Sequence, residues 1–154
     1  MKARALLAGI VVCLVAAAVC FAADAFTGTW KLNETKSKFA KGATKNNTVV
    51  YEAAGDSVKV TTDGSDKDGK LTHSDWTGKF DAKDYPVTGD SNSDARSYKK
   101  LDDRHFDFEV KNGGKVTTIG HIMVSADGKT RTVRTEATDS AGKKISSTAV
   151  YDKQ

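Results

Sequence analysis

An all-β fold, an antiparallel up-and-down meander of about eight to ten strands closed into a barrel, is what this sequence predicts. Three observations predict it. Glycine-containing turn signals recur about every 8 to 15 residues from Gly28 onward. The short stretches between them alternate apolar and polar residues with period two. No stretch holds a helical period beyond two turns, apart from one irregular turn expected between Asn33 and Phe39, and Pro86 is the sole proline.

The chain opens on a segment outside that domain. Met1-Lys2-Ala3-Arg4 is basic, Ala5 to Val19 is an unbroken apolar or small-residue run, and Ala23-Asp24-Ala25 fits a small-residue cleavage site. Residues 1–25 therefore read as a cleavable secretory signal peptide, and residues 26–154 as a single β-barrel domain, secreted or periplasmic. The apolar run is short for a bilayer, which takes about 20 residues, so no membrane span is expected after signal removal. A retained anchor and a lipoprotein ending at Cys20 are the other readings, but Val19 stands where a lipoprotein signal calls for a small residue. Cys13 and Cys20 both fall in this segment, so the domain is expected to have no disulfide and no thiolate chemistry.

Strands are expected near 28–33, 46–54, 56–63, 70–80, 84–88, 95–101, 104–111, 114–125, 129–138 and 143–152. Val49, Tyr51 and Ala53 share one face of the second, and Val58, Val60 and Thr62 one face of the third. Trp76, Gly78 and Phe80 oppose His73, Asp75 and Lys79. Phe106, Phe108 and Val110 oppose His105, Asp107 and Glu109, and Ile145, Ala149 and Tyr151 oppose Ser146 and Asp152. One dry face and one wet face account for all of these. Hairpin-length connections such as Asp68-Gly69, Gly113-Gly114 and Asp127-Gly128 favour a meander, and closure removes its two exposed edges.

Phe26-Thr27-Gly28-Thr29-Trp30-Lys31-Leu32 resembles the G-x-W opening of lipocalins, and more closely the first strand of fatty-acid-binding proteins. The resemblance implies a calycin-like barrel, like those of small exported bacterial lipocalin-like proteins. It makes Gly28 and Trp30 structural residues at a closed barrel end. Thr148 to Lys153 is similar to the last fatty-acid-binding strand, whose Arg-x-Tyr pair grips a carboxylate. Tyr151 matches the tyrosine, but Ala149 replaces the arginine. Arg131 is the best substitute by counting in twos from Val133, while Arg134 falls on the opposite face. Near a strand end, Arg131 is expected to reach solvent, so neutral apolar ligands should bind at least as well as fatty acids.

Catalytic and metal chemistry find no foothold. There is no nucleophile elbow, zinc-protease motif, phosphate loop or dinucleotide turn, so no enzyme activity, catalytic residue or cofactor is expected. His73, His105 and His121 lie on separate strands without ligand spacing. Asp66-Lys67-Asp68-Gly69 echoes a calcium loop, but Gly64 occupies the first ligand position, and a polar hairpin tip is the simpler reading. The chain has 24 Lys plus Arg and 20 Asp plus Glu; without Lys2 and Arg4 the balance is 22 to 20, which argues against nucleic acid as a partner. Two functions stay open. Tyr51, Trp76, Phe80, Phe106, Phe108, Arg131 and Tyr151 line a cavity for a small, partly apolar ligand, with Thr118, Gly120, Ser147 and Ala149 leaving the room. Alternatively, the rings fill the barrel, and the protein is an envelope or interaction protein with no small-molecule ligand.

Overall fold

The computed structural model describes residues 25–138 and 142–154. The signal segment expected over residues 1–25 lies outside the described residues except for Ala25.

Ten strands follow in chain order: β1 (Gly28–Leu32), β2 (Lys45–Ala54), β3 (Ser57–Ser65), β4 (Leu71–Gly78), β5 (Tyr85–Thr88), β6 (Ala95–Lys100), β7 (His105–Asn112), β8 (Lys115–Val124), β9 (Thr130–Thr138) and β10 (Lys144–Lys153). Each pairs antiparallel with the next, and β10 pairs with β1 to close the barrel. The expected meander is therefore the observed one. The irregular turn between β1 and β2 is a single 3-10 turn, Glu34–Lys36, capped by the Asn33 side chain, which accepts from the Lys36 N–H. On either side of it the chain continues β1's course: Asn33 N–H donates to the Val150 carbonyl, and Lys38 bridges to Thr148. That stretch covers the part of β10 that short β1 leaves unpaired.

Register fixes the inward face. Trp30 lies opposite Val49, Tyr51 opposite Val60, Val60 opposite Trp76 and Trp76 opposite Val87. Tyr98 pairs with Phe108, Phe108 with Gly120, Ile122 with Val133, and Arg131 with Tyr151. Every partner in this chain shares a face with the next, because directly opposed residues point the same way. Ala53 shares the face of Val49 and Tyr51 yet is exposed, since it lies beside the Gly55 turn beyond the reach of the core.

The two ends of the barrel differ. One carries both ends of the described chain and the turns from β2 to β3, β4 to β5, β6 to β7 and β8 to β9. Here Ala25 and Phe26 turn in under the wall. The Trp30 indole N–H donates to the Phe26 carbonyl at 2.7 Å, and Lys153 Nζ donates to the Ala25 carbonyl at 3.2 Å. Gly28, at φ 117°, makes this inward turn in a conformation that L side chains rarely adopt. At the opposite end the inward positions mix apolar Val110 and Ile145 with Thr118, Thr135, Ala137 and Ser147, all of them only half-buried. The first end is sealed by rings, and the second is the more solvent-exposed of the two.

Candidate binding site in the barrel interior

The sealed end is a cluster of rings. Phe26 meets Tyr51, Phe80 and Phe106 edge-on, with centroids 5.5, 4.9 and 4.5 Å apart. Trp76 stacks on Phe80 and meets Tyr98 at 4.8 Å, while its indole N–H donates to the Arg96 carbonyl at 2.8 Å. Tyr98 in turn meets Phe108 at 5.7 Å. Each contact adds a directional attraction of about 0.5–1.5 kcal/mol to the area it buries. Of the residues singled out in the sequence, Tyr51, Trp76, Phe106, Arg131 and Tyr151 are buried here, and Phe80 and Phe108 pack partly buried against them. Gly28 and Trp30 sit at the sealed end as the motif implies, with Trp30 fully buried.

Arg131 requires a correction. It does not reach solvent near its strand end: its relative exposure is 2%. Cross-strand pairing with Tyr151 aims it inward, and the rings around it hold the side chain across the barrel. Its guanidinium lies 5.3 Å from the Trp30 ring centroid, 5.2 Å from Tyr51 and 4.4 Å from Tyr151. A cation over a desolvated ring gains on the order of 2 kcal/mol at best. Three rings therefore offset much of the loss of water from the guanidinium faces, but not the loss at its edges. Nε and Nη1 of Arg131 are buried without an acceptor, and so is Nε of Arg96.

The phenols nearby are not counter-ions. Burial pushes Tyr51 well above the ordinary tyrosine range, with neighbouring Tyr98 adding to the rise and Arg131 opposing it. Burial likewise raises Tyr151, and again the Arg131 cation pulls the other way. Both hydroxyls are neutral at physiological pH. No Asp or Glu occupies an inward position on the described strands; Asp63, Asp75 and Asp107 face outward, where they bind His73 and His121. The interior thus combines two guanidinium groups, neutral phenols and apolar rings.

Sequence reasoning missed Phe26, Arg96 and Tyr98. Phe26 precedes β1 and belongs to no alternating run. Arg96 and Tyr98 share the inward face of β6, but that strand reads Ala-Arg-Ser-Tyr-Lys-Lys, and its charges hide the dry face. The Tyr98 spacing from Arg96 was the one available signal. Elsewhere, a cleft of about 180 Å³ is lined by Leu101, Met123, Thr132 and Arg134, and another of about 160 Å³ by Val116, Thr118, Ile119, Glu136, Ala137 and Lys144. Both lie on the β7 to β10 wall and bring no buried polar group together, unlike the interior.

No protein-family model matches this chain, and no curated protein is significantly similar to it. Solved structures do match. The structure of EF1p2_mFAP2b bound to DFHBI superposes with a TM-score of 0.50 at 11% identity, covering 86% of this chain and 97% of the other. A redesigned β-barrel, mFAP1, bound to DFHBI has a TM-score of 0.47 at 14% identity, covering 86% and 98%. A de novo designed fluorescence-activating β-barrel has 0.47 at 13%, covering 86% and 97%. At these identities the likeness is one of fold.

Proposed function

We propose that this protein is an exported, non-catalytic barrel that holds a small, partly apolar molecule between its ring cluster and its water-accessible end. The carrying observation is the asymmetry of the interior. Rings close one end completely, while half-buried Thr118, Thr135 and Ser147 line the other, an arrangement suited to a guest entering from one side. That EF1p2_mFAP2b, a barrel of the same fold, was solved bound to DFHBI supports the view that such a barrel can admit a guest. The calycin reading rests on the Phe26 to Leu32 opening, and export on the basic and apolar residues before it. Among the described residues, no helix is long and apolar enough to cross a membrane.

Native mass spectrometry of protein purified from its own host tests the reading directly. A bound small molecule released on activation is the expected result. A bare polypeptide mass, with no binding of the uncharged fluorophore phenylnaphthylamine, would sink it. The rival, a filled-barrel envelope or interaction protein, draws on the close ring contacts around Phe26 and predicts that bare mass. N-terminal sequencing of secreted material should start between Ala23 and Phe26; an intact Met1 on membrane-bound product would defeat the export reading.

A further inference from the structure

We infer that Arg131 anchors an internal oxyanion site, and that the barrel's guest is a small organic acid with one charged group and an apolar body. The inference rests on the guest-binding reading above and adds the charge of the guest.

A buried guanidinium is costly unless its N–H groups find acceptors, and a filled core would be expected to supply a carboxylate or to dispense with the charge. Neither has happened here. Trp30, Tyr51 and Tyr151 cover the faces of the Arg131 guanidinium, which leaves only its N–H edges to be satisfied. Two of its three nitrogens have no acceptor. A second inward guanidinium, Arg96, has its Nε in the same condition. Arg96 lies on the inward face of β6 with Tyr98, paired with Tyr85 and Val110. The described inward positions carry no acid that could neutralise either one. An oxyanion fits all of these: it accepts from guanidinium edges, and the neutral hydroxyls of Tyr51 and Tyr151 are donors that an anion would orient.

The walls specify the rest of the molecule. From Arg131 toward the water-accessible end, the inward residues on β9 are Val133 and Thr135, and on β7 they are Phe108 and Val110. Phe108 is half-buried and lies opposite Gly120, so its ring is a movable part of the wall. The orphaned nitrogens are covered, and a guest must displace a ring to reach them. Phe108 is partly buried and stands on β7 between the ring cluster and Val110, so the acid enters past it with its apolar body remaining against Phe108 and Val133.

A matched pair of probes tests this. Anilinonaphthalene sulfonate and phenylnaphthylamine share an aromatic body and differ in one sulfonate. In the parent protein the sulfonate should bind at least about tenfold more tightly. Arg131→Gln should bring the two probes to near parity, whereas Arg134→Gln, on the outer face of the same strand, should keep the preference. Equal affinities in the parent would overturn the oxyanion site while leaving the guest-binding reading standing. A preference that survives Arg131→Gln would also overturn it, by placing the anion elsewhere. Failure of both probes to bind would remove both readings. Should Arg131→Gln not fold, the Arg131 Nε–H resonance in the parent decides the matter instead. A shift with the sulfonate but not with the amine supports the site, and no shift with either overturns it.

Discussion

At the sealed end, Phe26, Phe80 and Phe106 lie with their ring centroids within 5.5 Å of one another; at the other, Thr118, Thr135 and Ser147 occupy inward positions and are only half-buried. The same alternation builds both ends, and the same strands run through both. What differs is side-chain volume. Rings at one end exclude solvent, while the smaller side chains at the other bury less apolar surface. Stability and solvent exposure are thus assigned to opposite ends of one sheet, with Arg131 on the sealed side and Phe108 and Gly120 at their junction.

The strongest test of that division is at the sealed end. Trp30→Ala removes a fully buried indole, its hydrogen bond to the Phe26 carbonyl and one face of the Arg131 cage. The expected loss is about 3–5 kcal/mol, measured by denaturant unfolding. A variant melting within a degree or two of the parent would mean that this end does not carry the fold.

Next in size is the junction itself. A Cβ at Gly120 would stand 2.3 Å from Cε1 and Cζ of Phe108, so Gly120→Ala must push that ring aside. Because Phe108 is half-buried, the ring can move toward solvent, and the cost should be about 1–3 kcal/mol. Probe binding should fall along with stability. A variant with parental stability and parental binding would show that Phe108 is not part of the wall.

How much of this was legible in the sequence follows from the same contrast. Strand count and order were readable because hairpin turns and period-two alternation are local signals, and the ten expected segments overlap the ten strands. The inward placement of Tyr51, Trp76, Phe106 and Tyr151 was readable because each belongs to an alternating run. Arg131 was assigned to the correct face but to the wrong environment. Alternation fixes direction, while the depth of a side chain depends on rings from β1, β2 and β10 that no local pattern brings together. Phe26 and Tyr98 were lost for related reasons: one lies outside any strand, the other among lysines.

Substitution at the water-accessible end should matter far less to stability. Thr135 is half-buried and inward on β9, and Thr135→Val keeps its shape while removing a hydroxyl. A change within about 0.5 kcal/mol is expected, as for positions that break no core contact or hydrogen-bond network. An unfolding cost approaching that of Trp30→Ala would erase the distinction between the ends.

The smallest effect is on the outer wall near the water-accessible end, where β3 and β4 are tied by charge rather than by packing. His73 lies directly across from Asp63, with Nδ1 2.7 Å from its carboxylate and Nε2 3.1 Å from Asp75. Hydrogen bonds to Asp63 first, and to Asp75 second, raise the His73 pKa above its ordinary value. A raised histidine contributes stability that is fully present below its unfolded pKa of about 6.5 and is lost as pH rises through the folded value. Asp75 behaves in the opposite sense. The Thr61 hydroxyl first, and His73 second, lower its pKa, so its contribution is present above its unfolded value of about 3.9 and disappears in more acidic solution. Between those limits both groups are charged and the tie is intact. The parent should therefore lose melting temperature between about pH 6 and pH 8 more steeply than His73→Gln does. Because the imidazole is solvent-exposed, the difference will shrink with added salt. Superimposable pH profiles for parent and variant would mean that charge does not hold these two strands together, and that their backbone ladder alone closes the wall there.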